Sequence, residues 1–497
     1  MKVCIIPAAG KGIRFRELGK LYPKSLLPYK NKPIIFYIIE SIYENFDEIR
    51  IIVDHQSLEI KKYINFLNLK KIKIINLDKK KHQGPAKSMY CGLQANEKSI
   101  LMLLSDAIYN FNFLTKTKFD WVSVMQVNDY SRWCLIDDKN NLFDKPKHKV
   151  GTNLAMSGAY QFTDPKFLKK CCEKIFADLS TKTEIQFSHV LELYKKKHKI
   201  KLIKHSKKNI KDFGTIEQFF QNKNNPISRS FNIIKINQND VVKTSIDYPD
   251  KILREAMWLK YAPKKIQHFL PKIFSIDIIN SSFTAEKISS PTLREIFLYI
   301  DKSFDVWVDI FEELNKFISY SKTTKKKGYF WSQIIEKNFM RTKTNNLFLD
   351  EFKKKVENSQ FYNQVSFYHG DLVFSNIFYD LQKKQLKFID PRGEFYGHWL
   401  YDIAKIYQCV YGRYEYVDSQ LYTFQNNLTF YYDKGNNFVK KAFDDVILSK
   451  LTKKELDFIK ILVVSLYLSL IPLHNHNKIN QKLYYEEYLR LNKQVII

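Results

Sequence analysis

Through about residue 220 the chain alternates short, nearly continuous apolar runs with amphipathic stretches. VCIIPA, EIRIIVD, KIKIINL and SILMLLSDA are rich in β-branched residues and each predicts a strand, while PIIFYIIESIYENF predicts a helix between the first two. This is α/β patterning and implies a mostly parallel sheet. The pattern breaks at QNKNNPISRS (221–230), a polar, proline-containing stretch suited to a domain boundary. Beyond it SFNIIKINQNDVVKTS predicts a hairpin turning at Asn-Gln-Asn-Asp, and KILREAMWLKYA (250–261) a helix. From about residue 293 most segments read as helices, interrupted by the short strand QLKFID. The reading is two domains, 1–222 and 229–497, joined by a linker at 223–228, the second dividing into a small lobe (229–290) and a large lobe (291–497). The longest apolar stretch, ILVVSLYLSLIPL (461–473), is too short to span a bilayer and stops at Pro472, so a buried helix is expected and no membrane span.

Composition adjusts this picture modestly. At 497 residues two or three domains are expected, and 45% hydrophobic residues suffice to fill their cores. A net charge of +29 invites a nucleic-acid reading, but the lysines are spread along the whole chain and no recognition helix, zinc finger or RNP-like strand appears. No nucleic-acid partner is expected; a positive field equally serves an enzyme of nucleotides and phosphates. The six cysteines have neither metal-ligand spacing nor disulfide-framework density, and MKVCIIPAAG lacks a signal-peptide layout, so a cytoplasmic location is expected.

The candidate chemistry of the first half begins with PAAGKGIRF (7–15), directly after the first strand. Ala8, Ala9, Gly10 and Gly12 make a loop whose backbone N–H groups can approach phosphate, and Arg14 adds a permanently charged fork. Phe15 stands where a dinucleotide fingerprint needs its third glycine. YPKSLLP (22–28) holds Lys24 between two prolines, and LMLLSDA places Asp106 at a strand tip, where a carboxylate suits Mg²⁺. In this order the motifs resemble the sugar-phosphate nucleotidyltransferase (pyrophosphorylase) family, with its AAGxGxR loop, PKxLLP segment and strand-end aspartate. The resemblance extends to HQGPAKSM (82–89), to Asp144-Lys145-Pro146, to SGAYQF (157–162) and to KDFGT. It implies a Rossmann-like, GT-A-like mixed sheet. It implies catalytic roles for Arg14 and Lys24, nucleotide contacts from Ala8, Ala9, Gly10, Gly12, Gln83 and Gly84, acceptor contacts from Lys145 and Gly158, and Mg²⁺ on Asp106 and Asp212. The base is CTP or UTP, with CTP preferred because forms of this fold that handle phosphocholine or phosphorylated polyols use it.

The second half carries YHGDLVFSNI (368–377) and KFIDPRG. Asp371 can orient and deprotonate a hydroxyl, Asn376 can return to a metal, and Asp390 at a strand end can hold Mg²⁺ across ATP phosphates. These residues resemble the aminoglycoside phosphotransferase and choline kinase superfamily, implying a bilobal α+β protein-kinase-like domain. In that family's scheme Lys243 (DVVKTS) meets the ATP phosphates and Glu255 (REAMWL) pairs with it, His369 braces the loop, and Asp402 is a structural aspartate at a helix start. The nucleotide-covering loop near SRSFNII has no glycine. Where choline kinases have a Trp-Glu pair, Arg392 stands in PRGE, which suits a hydroxylated or anionic acceptor. Trp331, Tyr396, Trp399 and Tyr401 are candidates for an aromatic cage. The joint expectation is a bifunctional enzyme with Mg²⁺ as cofactor: ATP phosphorylates a small alcohol, and an NTP converts the phosphorylated acceptor to an NDP-linked donor for a surface polysaccharide. The alternative is a nucleotidyltransferase carrying a degenerate kinase-like domain.

Overall fold

The computed structural model describes residues 1–10, 23–29, 32–54, 57–77, 84–94, 96–110, 119–128, 130–179, 184–215, 218, 232–237, 239–245, 248–300, 302–328, 354, 357–361, 363–423, 429–430, 435–474 and 477–496. They fall into two compact units, Met1–Lys223 and Asn224–Ile497.

The first unit is built on β1 (Lys2–Pro7), whose Val3, Cys4, Ile5 and Ile6 are fully buried. A strand covered on both faces has no solvent face to serve with polar residues, hence its unbroken apolar run. β2 (Glu48–Val53) lies parallel to it on one side, followed by β3 (Ile72–Asn76), also parallel; β4 (Ser99–Leu103) lies parallel on the other side. The helix α1 (Ile34–Ile42) leads from β1 to β2 and buries Ile34, Ile35, Ile38, Ile39 and Ile42. The helix α2 (Ser57–Leu67) was not foreseen. It buries Ile60, Tyr63 and Ile64, the i, i+3, i+4 spacing of a narrow apolar stripe, and it supplies the crossover that parallel β2 and β3 require. The helix α3 (Pro85–Gly92) leads back to β4.

Beyond β4 the sheet reverses. β5 (Ala107–Tyr109) leaves the main sheet, and β6 (Asp120–Gln126), β7 (Cys134–Ile136), β8 (Leu142–Asp144) and β9 (Leu154–Phe162) form antiparallel ladders, β9 running beside β4. The helices α4 (Pro165–Asp178) and α5 (Phe187–Tyr194) then lead to β10 (Ile200–His205), parallel to β6. The expectation of a mostly parallel sheet is therefore corrected. Among the described residues the sheet has nine strands in mixed orientation, because the 134–144 segment turns too tightly to hold a crossover helix. Finally β11 (Ile210–Asp212) pairs antiparallel with β5, Asp212 opposite Ala107.

The second unit opens with the predicted hairpin, β12 (Asn232–Ile236) and β13 (Asp240–Ser245). With β14 (Ile273–Asp277) and β15 (Ser282–Glu286) it forms an antiparallel sheet in the order β12-β13-β15-β14, against which α6 (Pro249–Tyr261) packs. A capping box between Thr292 and Glu295 starts the helical part. There α7 (Phe304–Thr323) and α8 (Trp399–Val410) pack on the short strand β16 (Gln364–Phe367), and α7 also on β18 (Gln385–Phe388), which pairs with β17 (Ile377–Asp380); α9 (Gly435–Val446) packs on α7, α10 (Lys453–Leu473) on α8 and α11 (Lys478–Ile496) on α10.

α10 is longer than its apolar run implied. A second capping box at Thr452 and Glu455 starts it in polar sequence, and it passes through Pro472 in its last turn. Its 21 residues, with mean hydropathy 2.0 over its most apolar window, are enough by length and composition to cross a bilayer, but 56% of that window is buried. Phe458, Ile459, Leu462, Val463, Val464, Leu466 and Tyr467 are covered, and α10 packs on α8 and α11. All six cysteines are free thiols. His474 packs its ring 4.9 Å from Tyr484; His476 lies outside the described residues.

Candidate functional sites

In the first unit the carboxyl ends of β1 and β4 open onto a cavity of about 740 Å³. That is the edge at which α/β sheets bind ligands. Pro7, Ala8, Ala9 and Gly10 line one wall, and the Ala8 N–H, donated to the Ile52 carbonyl at 2.8 Å, holds the loop to the sheet. Lys24 begins a short 3₁₀ turn after Pro23, with Ser25 and Leu26 buried beneath it. Its Nζ stands 3.4 Å from Asp106 Oδ2 and donates to the Gly214 carbonyl at 3.3 Å.

The β5–β11 pairing is what brings Asp106 and Asp212 together. The Phe213 N–H donates to the Asp106 carbonyl at 2.8 Å, and Asp212 Oδ1 accepts from the Gly214 N–H at 2.7 Å. Burial, and then the neighbouring Asp106 carboxylate, push the Asp212 carboxyl above its ordinary range. A hard divalent cation placed between two carboxylates relieves that repulsion, so the donor set fits Mg²⁺. Among the described residues no group of three His, Cys, Asp or Glu side chains is arranged to hold a metal, so the remaining positions would fall to substrate oxygens and water.

Residues 3–228 match the nucleotidyl transferase family model. The N-terminal unit carries a nucleotidyl transferase domain. The bifunctional protein GlmU of Methanocaldococcus jannaschii is 29% identical over 40% of this chain and 48% of its own length. The UTP–glucose-1-phosphate uridylyltransferase of Bacillus subtilis is 26% identical over 34% of this chain and 73% of its own. The chain thus spans about half the length of the first of these relatives, 48%. A crystal structure of UDP-glucose pyrophosphorylase complexed with UDP-glucose aligns over 45% of this chain and 97% of that one, at 22% identity and a TM-score of 0.39.

The nucleotidyl transferase domain brings most of its expected residues to one cavity. Ala8, Ala9, Gly10, Lys24, Gly84, Asp106, Lys145 and Asp212 line it, and Gly158 lies beside it between the lining residues Ser157 and Tyr160. Gly12, Arg14 and Gln83 lie outside the described residues. Gly158 has φ +94°, and a Cβ there would meet Leu104 Cδ1 and Tyr109 Oη, each at 2.8 Å. Gly84, at φ +96°, is the residue before α3, where a Cβ would meet the Ile185 carbonyl at 2.7 Å. Lys145 adopts φ +48° in the turn after β8, and its N–H donates to the Trp133 carbonyl at 3.0 Å. Sequence reasoning missed Arg132, which lines the cavity with Nη2 3.4 Å from Asp212 Oδ2. Its neighbourhood, DYSRW, matches none of the motifs, so proximity to Asp212 through the fold is its only signal.

In the second unit, Lys243 on β13 and Glu255 on α6 meet in a buried ion pair, Nζ to Oε1 and Oε2 at 2.8 and 2.6 Å. The same Nζ reaches Asp390 Oδ1 at 2.8 Å. One cation thus serves two carboxylates. Burial opposes the charge on Lys243, but Asp390 and Glu255 outweigh it and hold the ammonium protonated. Burial likewise opposes the charge on Asp390, yet Lys243 holds that carboxyl below its ordinary range. Burial pushes the Glu255 carboxyl up to about 8, against the pull of Lys243.

The loop with Asp371 is held from α8. Asp402 accepts the N–H groups of His369 and Gly370 at 2.7 and 2.8 Å, although burial pushes its carboxyl up to about 7. His369 is fully buried, and burial pushes its imidazole down to about 4. Its Nδ1 accepts from the Asp371 N–H at 3.3 Å, so the neutral ring shapes the loop. Asn376 Nδ2 donates to the Asp371 carbonyl and to Asp371 Oδ2, at 2.9 and 3.1 Å. The Ile389 N–H, donated to the Asn376 carbonyl at 3.0 Å, sets Asp390 beside it. Asp390 itself adopts φ +56°. The carboxylate of Asp390 and the amide oxygen of Asn376 are hard oxygen donors, a set that fits Mg²⁺.

Arg392 Nη1 donates to the Tyr401 hydroxyl at 3.4 Å. The aromatic cage is not assembled from the expected residues. Trp399 is 1% exposed in the core, Tyr396 is 48% exposed with the Lys326 ammonium over its ring, and Trp331 lies outside the described residues. Lys405, unnoticed in the sequence, stands 3.0 Å from Asp371 Oδ1. Its signal was present, since it follows Asp402 by one helical turn and therefore shares its face.

Proposed function

We propose that the chain is a bifunctional cytoplasmic enzyme making an activated donor for a surface polysaccharide such as capsule or lipooligosaccharide. In the nucleotidyl transferase domain a phosphate oxygen of a phosphorylated sugar, polyol or amino alcohol attacks the α-phosphorus of an NTP. The new P–O bond forms as the α–β bridging P–O bond breaks, and pyrophosphate leaves. CTP is the preferred nucleotide, with UTP next. Asp106 and Asp212 would hold Mg²⁺, which when bound neutralises phosphate charge. Lys24 binds the α-phosphate, Arg14 the β- and γ-phosphates, and Lys145 grips the acceptor phosphate. No protein nucleophile is needed, and catalysis is alignment and charge neutralisation.

The second unit would be the kinase. The acceptor hydroxyl gives its proton to Asp371 as its oxygen attacks the γ-phosphorus of ATP, and ADP leaves. Lys243, held by Glu255, orients the phosphates, and Asn376 and Asp390 would hold Mg²⁺. The convergence of Lys24, Asp106 and Asp212 on one cavity carries the first reading; for the second, it is the Lys243–Glu255–Asp390 triad beside Asp371 and Asn376. The glycine-free SRSFNII segment supports the rival, a nucleotidyltransferase with a degenerate kinase-like domain. Incubation with ATP, MgCl₂, each NTP and a panel of alcohols decides between them. Pyrophosphate release only from acceptors supplied already phosphorylated selects the rival. No release with any phosphorylated acceptor removes both readings.

A further inference from the structure

The neighbourhood of Asp371 holds more positive charge than a general base requires. Lys405 approaches it from α8, with Nζ 3.0 Å from Oδ1 and a side chain only 16% exposed, while the Asp371 side chain is 36% exposed and so is reached from solvent. Arg392 is set against the same loop by its N–H, which donates to the His369 carbonyl at 2.9 Å. The two cations meet at Tyr401: the Arg392 guanidinium bonds its hydroxyl at 3.4 Å, and the Lys405 ammonium lies 5.8 Å from its ring centre. The nearby carboxylate, Glu394, is 3.7 Å from Arg392 Nε but is drawn closer, to 3.1 Å, by Arg254 Nη1, and Tyr368 donates to it at 3.5 Å. On the Tyr401 side of Asp371 the cations Arg392 and Lys405 face Asp371 and Glu394, while Asp402 is turned to the His369 and Gly370 N–H groups and Asp390 to Lys243.

We infer that the alcohol accepted by the second site carries an anionic group of its own, a carboxylate or a phosphate, beside the hydroxyl that Asp371 activates. Arg392 and Lys405 determine that specificity. The inference rests on the phosphotransfer reading of this unit. A quaternary ammonium at this place meets two half-buried cations and loses its hydration without gaining a partner. A carboxylate or phosphate meets the guanidinium fork, which matches its oxygens in pairs, with the lysine ammonium as a second charge.

The test uses the full chain with ATP and MgCl₂ and four probes: glycerate, glycerol 3-phosphate, glycerol and choline. At least one of the two anionic alcohols is expected to be phosphorylated with kcat/KM roughly tenfold or more above glycerol and choline, and which one leads tells carboxylate from phosphate. Arg392→Gln and Lys405→Gln are expected to raise KM for the preferred anionic alcohol about tenfold while KM for ATP stays, and Arg392→Lys to recover part of the loss. Choline or glycerol at equal or higher kcat/KM overturns the inference, as does a rise in the KM for ATP alone. ATP and MgCl₂ raising the melting temperature without transfer to any probe also overturns it, and leaves the nucleotide site standing. Neither transfer nor such a shift removes the phosphotransfer reading itself, and the inference with it.

Discussion

The two units each set a lysine among carboxylates, and they do it differently. Lys24 stands 3.4 Å from Asp106 with its side chain 18% exposed, at the wall of a wide cavity. Lys243 is 7% exposed and locked between Glu255 and Asp390 at 2.6 and 2.8 Å. A loosely paired cation can be taken over by a phosphate at little cost, because water and substrate already reach it. A buried pair resists rearrangement, since removing one partner strands a charge in a medium that solvates it poorly. The first arrangement suits a site that receives two phosphorylated reactants together; the second suits a fixed cradle for one nucleotide.

Substitution of the carboxylates breaks the comparison most strongly. Asp106→Asn is expected to lower pyrophosphate release by about a thousandfold, since it removes charge stabilisation from the transferring phosphoryl group. Phosphorylation of the alcohol by the same chain should stay unchanged. Asp371→Asn should do the reverse, abolishing ADP formation while nucleotidyl transfer to a supplied phosphorylated acceptor persists. Coupled assays on both variants check this, and loss of both activities in either variant defeats the division of labour. Next comes the lysine pair itself. Lys243→Met should destabilise its unit by about 1–3 kcal/mol, since it leaves Glu255 buried without its partner while the half-exposed Asp390 keeps its solvent. Lys24→Met should change stability by less than about 0.5 kcal/mol while still costing nucleotidyl transfer activity. Denaturant unfolding of the two variants reads the difference directly.

A backbone substitution sharpens the picture of the first cavity. Gly158→Ala forces an L side chain to φ +94° and pushes its Cβ to 2.8 Å from Leu104 and Tyr109. A loss of about 1–3 kcal/mol is expected, seen as a lower unfolding midpoint. A neutral result means that β9 shifts and that the wall of the cavity is softer than its burial suggests.

What could be read in advance divides along the same line. The strands around β1 were legible because burial on both faces leaves an unbroken apolar run, and of the motif residues there, those described line one cavity or lie beside it. The antiparallel half of the sheet was not, because a run such as SGAYQF carries no sign of the direction of its partner. Helix α2 was missed for its narrow stripe, although two consecutive parallel strands demanded a crossover. Arg132 and Lys405 escaped for another reason. Arg132 acquires its meaning only where the fold brings it against Asp212, and Lys405, although one helical turn from Asp402, only where α8 meets Asp371.

The smallest effect concerns His398, which caps α8 by accepting the Leu400 N–H at its Nδ1, 3.1 Å away. Burial, and then the Lys325 ammonium, push its imidazole down to about 3 from an ordinary 6.5. The folded chain refuses a proton that the unfolded chain takes up. This stability is therefore fully present above pH 6.5 and is lost as pH falls toward 3. Asp402 and Glu255, pushed upward, titrate with the opposite sign, so total stability against pH does not isolate the histidine. The difference between the native chain and His398→Asn does, because asparagine keeps a capping oxygen and does not titrate. Between pH 6.5 and about pH 5.5 the native second unit should lose about 1 kcal/mol more than the variant, measured by denaturant unfolding. Parallel curves would mean that the imidazole reaches water in the folded protein, and that the start of α8, which holds Asp402 and through it the Asp371 loop, opens more readily than the locked Lys243 triad.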